Sequence, residues 1–259
     1  MAEDLLVPIP HSTLDRLNEA HWQLHQMEEH FHRADPFRWA LNGFLRAIKE
    51  VPQLLLMEFQ NHPGFPDWHR QMREQLANDP LLSYLFRTRD VIVHQKMLMP
   101  NSKGFFGITR GHGIKCGFGW KFDPMEDSDR LMNRMATLAR EGGDMMGFFD
   151  PHDEDTMTCV ERTWRLPEFP DDDLVDLSAK AWHRIAADVA QAIERVGGTR
   201  SEIKLSCPHG SEGVKLRRYD RAELAKYVYG PGSKAASGPY SPSSTIASAK
   251  MELPPVEKA

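Results

Sequence analysis

Four helical segments, separated by only a few residues each, fill the first third of the chain and constrain its fold more than any other feature. Apolar residues recur at helical spacing within each segment. Asp-Pro pairs at 35–36 and 79–80 mark the starts of the second and fourth helices, because aspartate suits an N-cap and proline suits the first helical turn. Helices joined by such short connections pack antiparallel. Residues 12–96 are therefore predicted to form a four-helix bundle.

Start and stop signals predict where these helices begin and end. Ser12, with Asp15 three residues later, resembles a capping box for the first helix. Pro52 lies inside the second helix and is expected to kink it, because the apolar pattern continues beyond the proline. The predicted ranges are about 12–33, 37–60, 66–78 and from 79 onward.

The periodicity changes from helical to alternating in the middle of the chain. Between Phe105 and Phe122 the apolar residues hold the even positions, which predicts a β-hairpin with its turn near residues 111–113. A helix over about 127–140, a strand over 157–166 and a long helix over 171–196 follow. We therefore expect a mainly α protein, with a small antiparallel β-sheet and a further long helix appended to the antiparallel bundle.

These changes of pattern predict the domain organisation. The bundle covers 12–96, and the sheet with its helices covers 103–196. Short elements are expected over 197–229, namely strands at 203–207 and 214–218 and a helix capped by Asp220 that runs to Val228. Residues 230–259 are biased towards Pro, Ser, Gly, Ala and Lys and cannot build a core, so we expect a disordered tail.

Composition excludes several classes of function. A net charge of −5 argues against a protein whose whole surface follows a nucleic-acid backbone. The three cysteines are far apart, which fits a reducing compartment better than a disulfide framework. The N-terminus lacks the pattern of a signal peptide, and no apolar run approaches the roughly 20 residues that span a bilayer. We therefore expect a cytoplasmic protein without a membrane partner.

The fourth helix carries charged residues in the run Arg89-Asp90-Val91-Ile92-Val93-His94. An arginine, a polar residue, three further residues and a histidine make up the motif of the HEPN superfamily, which the chain resembles over about residues 12–96. The resemblance implies a bundle dimer in which Arg and His meet in a cleft and cleave RNA without a metal. It implies that His94 acts as acid or base on the ribose 2′-hydroxyl, while Arg89 holds the phosphate.

Helical geometry leaves open which arginine contacts phosphate. At about 100° per residue, Arg89 and His94 lie roughly 140° apart, whereas Arg87, Asp90 and His94 share one face. Asp90 precedes His94 by one turn, where it is placed to orient the imidazole and raise its pKa. The alternative is that Arg89 makes a structural ion pair while Asp90 and His94 form an ordinary exposed pair.

The first helix offers a less favoured candidate site for a metal ion. His21, His25, Glu28, Glu29 and His32 lie on one strip of this helix. A His-x3-His pair with a carboxylate fits zinc or iron inside a bundle. Di-iron bundles, however, need matching Glu-x-x-His motifs on two helices, and only Glu29 and His32 provide one. A solvated strip, or one that lines the same cleft as His94, is the favoured interpretation.

These observations rank three functions. The leading hypothesis is a HEPN-like homodimer that binds RNA or a nucleotide without a cofactor, with metal-independent ribonuclease activity as its catalytic form. The second is a non-enzymatic module whose hairpin and basic segment dock a protein partner, the basic residues being Lys215, Arg217 and Arg218. The third is a metal-dependent bundle enzyme that uses His21, His25, Glu28 and His32.

Overall fold

A computed structural model describes residues 9–94, 99–110, 114–142, 144–149, 156–198, 203 and 208–229, and only the backbone of residues 91–94, 114–115 and 144. Within these residues the chain forms helices α1 His11–Glu29, α2 Ala34–Phe59, α3 Phe65–Asn78, α4 Pro80–His94, α5 Ser128–Arg140, α6 Leu174–Arg195 and α7 Arg221–Tyr229. The strands are β1 Asn101–Arg110, β2 Ile114–Phe122, β3 Thr156–Arg165 and β4 Leu216–Tyr219. The fold is therefore mainly α with a small antiparallel sheet, as predicted.

The start of α1 is stabilised from another helix, so the predicted capping box is wrong. Pro10 occupies the N-cap position and makes no side-chain cap. Glu58 of α2 instead accepts hydrogen bonds from the backbone N–H groups of Ser12 and Thr13, at 2.8 and 3.0 Å, and from the Thr13 hydroxyl. A carboxylate at this end satisfies unpaired N–H groups and complements the helix dipole.

The bundle core lies between α1, α2, α3, α4 and α6. Its largest buried rings include Phe37, Phe44 and Trp182. The long helix α6 packs directly on α1 and α2, so it completes the bundle. α2 continues through the buried Pro52, as the apolar pattern predicted.

The sheet has the strand order β2-β1-β3-β4, and all neighbours are antiparallel. One face buries Phe106, Val160 and Tyr219 in a second apolar cluster against α5 and α7. β4 and α7 confirm the short strand and helix expected before residue 230. A capping box starts α7, because Asp220 accepts from the Glu223 N–H while Glu223 accepts from the Asp220 N–H.

Arg162 and Trp164 on β3 join the sheet to the bundle. The buried Arg162 guanidinium donates to the Ser102 hydroxyl at 2.9 Å and lies 3.8 Å from the centre of the Trp164 ring. Trp164 donates from Nε1 to the Phe31 carbonyl at 2.8 Å and stacks on Phe37. These contacts fix the sheet beside the connection between α1 and α2.

Several predicted features lie outside the described residues, namely the hairpin turn at 111–113, residues 204–207 of a predicted strand and the tail 230–259. Among the helices that are described, none combines the length and apolar composition needed to cross a bilayer.

Candidate functional site

Three histidines from distant parts of the chain meet beside the bundle. His21 and His25 lie one turn apart on α1, and His209 belongs to the segment that leads into a short helical turn at 211–213. Each histidine offers one ring nitrogen, and these three atoms lie within 4.8 Å of one another. We call His21, His25 and His209 the histidine cluster.

Glu28 holds two members of the cluster by their Nδ1 atoms. Its Oε2 lies 3.0 Å from His209 Nδ1 and 3.3 Å from His25 Nδ1, and its Oε1 accepts the Gly210 N–H at 3.0 Å. An imidazole that donates from Nδ1 keeps the Nε2 lone pair available for a ligand. Glu28 therefore orients the rings that come from α1 and from the 208–210 segment.

Asp176 near the start of α6 fixes the same segment from its other side. It accepts the Ser211 N–H at 2.8 Å and the Ser211 hydroxyl at 2.7 Å. Carboxylates from two helices, Glu28 and Asp176, therefore place His209 against α1. The segment carries the histidine to the bundle although residues 208–210 have no regular secondary structure.

Two ring nitrogens of the cluster are buried without a partner. Nε2 of His21 and Nε2 of His209 have no hydrogen bond among the described residues, and the His209 side chain is 0% exposed. Buried polar atoms are almost always paired, so an unpaired buried atom requires an explanation such as a bound ion. Here two such nitrogens occur in adjoining rings, since the His21 and His209 centroids are 4.8 Å apart.

The surroundings keep His21 neutral. Burial, together with repulsion from a positive charge on the nearby His209 or His25, lowers its pKa to about 4. Trp182 of α6 stacks on the His21 ring at 4.6 Å and forms the apolar wall of the site. Burial raises the pKa of Glu28, but hydrogen bonds from His209 and Gly210 outweigh it, and the net pKa lies below its usual value. The site therefore combines the neutral His21 imidazole with the ionised Glu28 carboxylate.

The spacing of the cluster fits a metal ion after small ring movements. Zinc with Zn–N bonds of about 2.0–2.1 Å in a tetrahedron holds its ligand nitrogens about 3.4 Å apart, so atoms 4.8 Å apart must close by up to about 1.4 Å. The exposed side chain of His25 has room to supply that movement. Three histidines leave a fourth tetrahedral position open, which is the arrangement of catalytic zinc sites.

His32 and Glu29 do not join the cluster. His32 Nδ1 lies 2.8 Å from the Ser128 hydroxyl, and Nε2 lies 3.0 Å from the Val214 carbonyl. Both nitrogens are therefore used in linking the bundle to the sheet. Glu29 is exposed and accepts from Gln26. The structure thus groups His21, His25 and Glu28 of the candidate metal strip with His209, and places His32 in a structural role.

The charged residues of α4 are held by α2. Asp90 pairs with Lys49, which lowers the pKa of Asp90, and Arg89 lies 3.3 Å from Asp90 and 4.0 Å from Glu50. Arg87 is exposed and, among the described residues, donates to the Ser83 carbonyl within its own helix. The ion pairs of Arg89 are those of the structural alternative, whereas the partner of Asp90 is Lys49, which the sequence did not predict. The backbone of His94 ends α4, but its side chain lies outside the described residues, so its predicted catalytic role stays a prediction.

His209 was not among the residues predicted from the sequence. It lies between Pro208 and Gly210, and the ligand-type residues nearest to it in sequence, Cys207 and Glu212, do not form a His-x3-His pair with it. Sequence patterns detect ligands that share an element, and His209 reaches the cluster only through tertiary contacts. The local signal was limited to the pair His21 and His25 on α1.

Comparison with known proteins identifies the family. The family model described as bacteriophage lambda protein ea47 matches residues 7–216, which is most of the chain, and the chain belongs to this family. No curated protein and no solved structure matches it. The HEPN-like resemblance stays a prediction.

Proposed function

We propose that this member of the ea47 family is a metal-dependent enzyme that holds a divalent transition-metal ion, best matched by Zn²⁺, with His21, His25 and His209. The observation that supports this most strongly is that two buried nitrogens, Nε2 of His21 and Nε2 of His209, have no partner within the part of the chain that the structure describes. Neutral imidazole is a preferred zinc ligand, and no thiolate lies among the three ligands. Zinc held by three histidines with one open position activates a bound water for attack on a substrate.

The residues around the cluster have defined roles in this proposal. Glu28 orients His209 and His25 and supplies a negative charge close to the ion, as carboxylates beside metal-bound histidines commonly do. Trp182 closes the apolar side of the site and limits the movement of His21. His25 is 46% exposed at its side chain, so the open side of the site lies towards solvent next to this residue.

Metal content and affinity test the proposal. Protein purified without chelator is analysed for metals, then stripped with EDTA and titrated with Zn²⁺ by calorimetry. We expect one ion per chain in the wild type and at least hundredfold weaker binding in His21→Ala and His209→Ala, because each loses a ligand. Glu28→Gln should bind about 10- to 100-fold more weakly, since it disturbs only the orientation of the ligands.

The control is His11→Ala, an exposed histidine at the start of α1 that should leave zinc binding unchanged. Bound zinc should also raise the thermal midpoint of the wild type, because a ligand at a thousand times its Kd stabilises the folded state by about 4 kcal/mol. Absence of stoichiometric metal together with no zinc-induced rise in the thermal midpoint would refute the proposal. Equal zinc affinity in the wild type and His209→Ala would refute the assigned ligand set.

A further inference from the structure

The outer face of the β1–β2 hairpin carries two lysines at one rung of the ladder. Lys103 on β1 is the direct partner of Lys121 on β2, and both side chains are exposed. Like charges directly opposite each other destabilise a strand pair. Within the described part of the chain, neither ammonium group has a hydrogen bond or an ion pair. The described part of the fold therefore holds two positive charges side by side with no compensating carboxylate bonded to them.

An aromatic ring follows the lysine pair on the same face. Phe105 stands two residues along β1 from Lys103, a rise of about 7 Å, and it belongs to neither apolar cluster. Its ring lies over the glycine pair Gly107 and Gly117. A Cβ atom at these glycines would approach Phe105 Cζ to 2.7 and 2.8 Å, respectively. The two glycines thus let the ring lie flat on the sheet.

Open space separates the lysine pair from the glycine pair. Gly119 is the strand partner of Phe105, is exposed, and a Cβ built there would meet only the Gly104 carbonyl oxygen, at 3.9 Å. This combination of cations, an aromatic ring and a glycine floor has room for a ligand.

We infer that the outer face of the β1–β2 hairpin binds single-stranded nucleic acid, with Phe105 stacking on a base and Lys103 and Lys121 contacting the adjoining phosphates. Stacking on a sheet-borne aromatic ring next to basic side chains is how single strands are held without sequence readout. On the neighbouring strands, this face carries one acidic residue, Glu161 of β3, which lies opposite Phe105. Thr163, opposite Lys103, is neutral, and Arg218 of β4 is basic. Charge complementarity on the hairpin therefore favours a polyanion, and the ring favours one with exposed bases. This surface is separate from the histidine cluster and does not depend on a metal.

Fluorescence anisotropy with labelled 12-nucleotide oligo-dT and oligo-rU, in EDTA, tests this inference on the full chain. The double variant K103Q/K121Q should bind at least tenfold more weakly. Its plot of log K against log salt should be shallower by about 1.4, because each lost phosphate contact on a single strand removes about 0.7. The matched control K180Q/K226Q removes the same charge from two exposed helical lysines and should change neither quantity by more than twofold.

Phe105 supplies an independent readout. Phe105→Leu should weaken binding by about 5- to 160-fold, the range for loss of one stacked base, without changing the salt slope. Phe105→Tyr should retain wild-type binding, which shows that the loss in Phe105→Leu comes from stacking and not from a disturbed sheet. Far-ultraviolet circular dichroism of each variant confirms that the compared proteins are folded.

Three results would overturn the inference. The first is equal affinity for the single strand and a duplex of the same length, because bases inside a duplex are not available to stack. The second is an equal or higher affinity for a poly-glutamate peptide of matched charge, which would assign the surface to an acidic protein partner. The third is an unchanged affinity in both K103Q/K121Q and Phe105→Leu.

Discussion

Acid should destabilise the metal-free protein in part through His32, a partly buried histidine. Burial lowers its pKa from 6.5 to about 4, although the hydrogen bond to the Val214 carbonyl opposes this change. The unfolded chain takes up a proton on His32 below pH 6.5, whereas the folded chain does so only below about pH 4. The free energy of unfolding therefore falls as the pH drops through this window and levels off below it. The loss attributable to His32 is roughly 2 kcal/mol at pH 5 and roughly 3 kcal/mol at pH 4.

Urea unfolding of the wild type and of His32→Gln in EDTA at pH 7.5, 6, 5 and 4.5 measures this effect. Glutamine keeps a donor and an acceptor for Ser128 and Val214 but does not titrate, so the variant should lose less stability than the wild type on acidification. Carboxylates contribute equally to both proteins, and His11→Gln should behave as the wild type does. The reasoning fails if the drop in unfolding free energy between pH 7.5 and 4.5 is the same in His32→Gln and the wild type.

Two further measurements examine the start of α1 and the origin of any catalysis. Glu58→Ala should lower the free energy of unfolding by about 1–2 kcal/mol at pH 7, because the first N–H groups of α1 lose their acceptor. The control Glu29→Ala, at an exposed residue, should change it by less than about 0.5 kcal/mol. Equal urea midpoints for the two variants would contradict the role of Glu58. In an RNA cleavage assay, the ribonuclease hypothesis for α4 predicts activity that survives EDTA and disappears in His94→Ala, while the metal proposal predicts that any hydrolysis stops in EDTA and returns with Zn²⁺. Equal cleavage by the wild type and His94→Ala in EDTA would contradict the α4 hypothesis.

The elements that could be predicted are those whose signals are local. Asp79 accepts the Leu82 N–H at 3.0 Å and so starts α4 as the Asp-Pro pair predicted, and Asp220 and Glu223 cap α7 within one turn. The alternation that predicted the hairpin reflects burial of a single face of the sheet. The capping box predicted for the start of α1 was wrong because the signal there is not local. The acceptor, Glu58, lies 46 residues from Ser12 and reaches it only when α1 and α2 pack antiparallel.

In the candidate site, too, contacts within one helix could be predicted and contacts between elements could not. A helical wheel places His21, His25 and Glu28 close together, and the structure confirms that proximity. The wheel also adds His32, but it cannot show that the Ser128 hydroxyl and a carbonyl already occupy both nitrogens of that ring. On α4, the sequence paired Asp90 with His94 on one face, whereas the structure shows Lys49 from α2 pairing with that carboxylate. A helical wheel describes a single helix, whereas the partners that decide the roles of His32 and Asp90 come from neighbouring elements of the fold.

The position of His209 links metal binding to the order of its own segment. Residues 208–211 are attached to the bundle through hydrogen bonds to Glu28 and Asp176, and they bury a histidine whose Nε2 has no partner among the described residues. Leaving that nitrogen unpaired costs free energy, and a metal ion shared with His21 and His25 removes the cost. A ligand that binds only the folded state stabilises that state, so the ion would strengthen the attachment of this segment to α1 and α6. The histidine that the sequence did not predict is therefore the one through which the proposed metal joins the segment before β4 to the bundle.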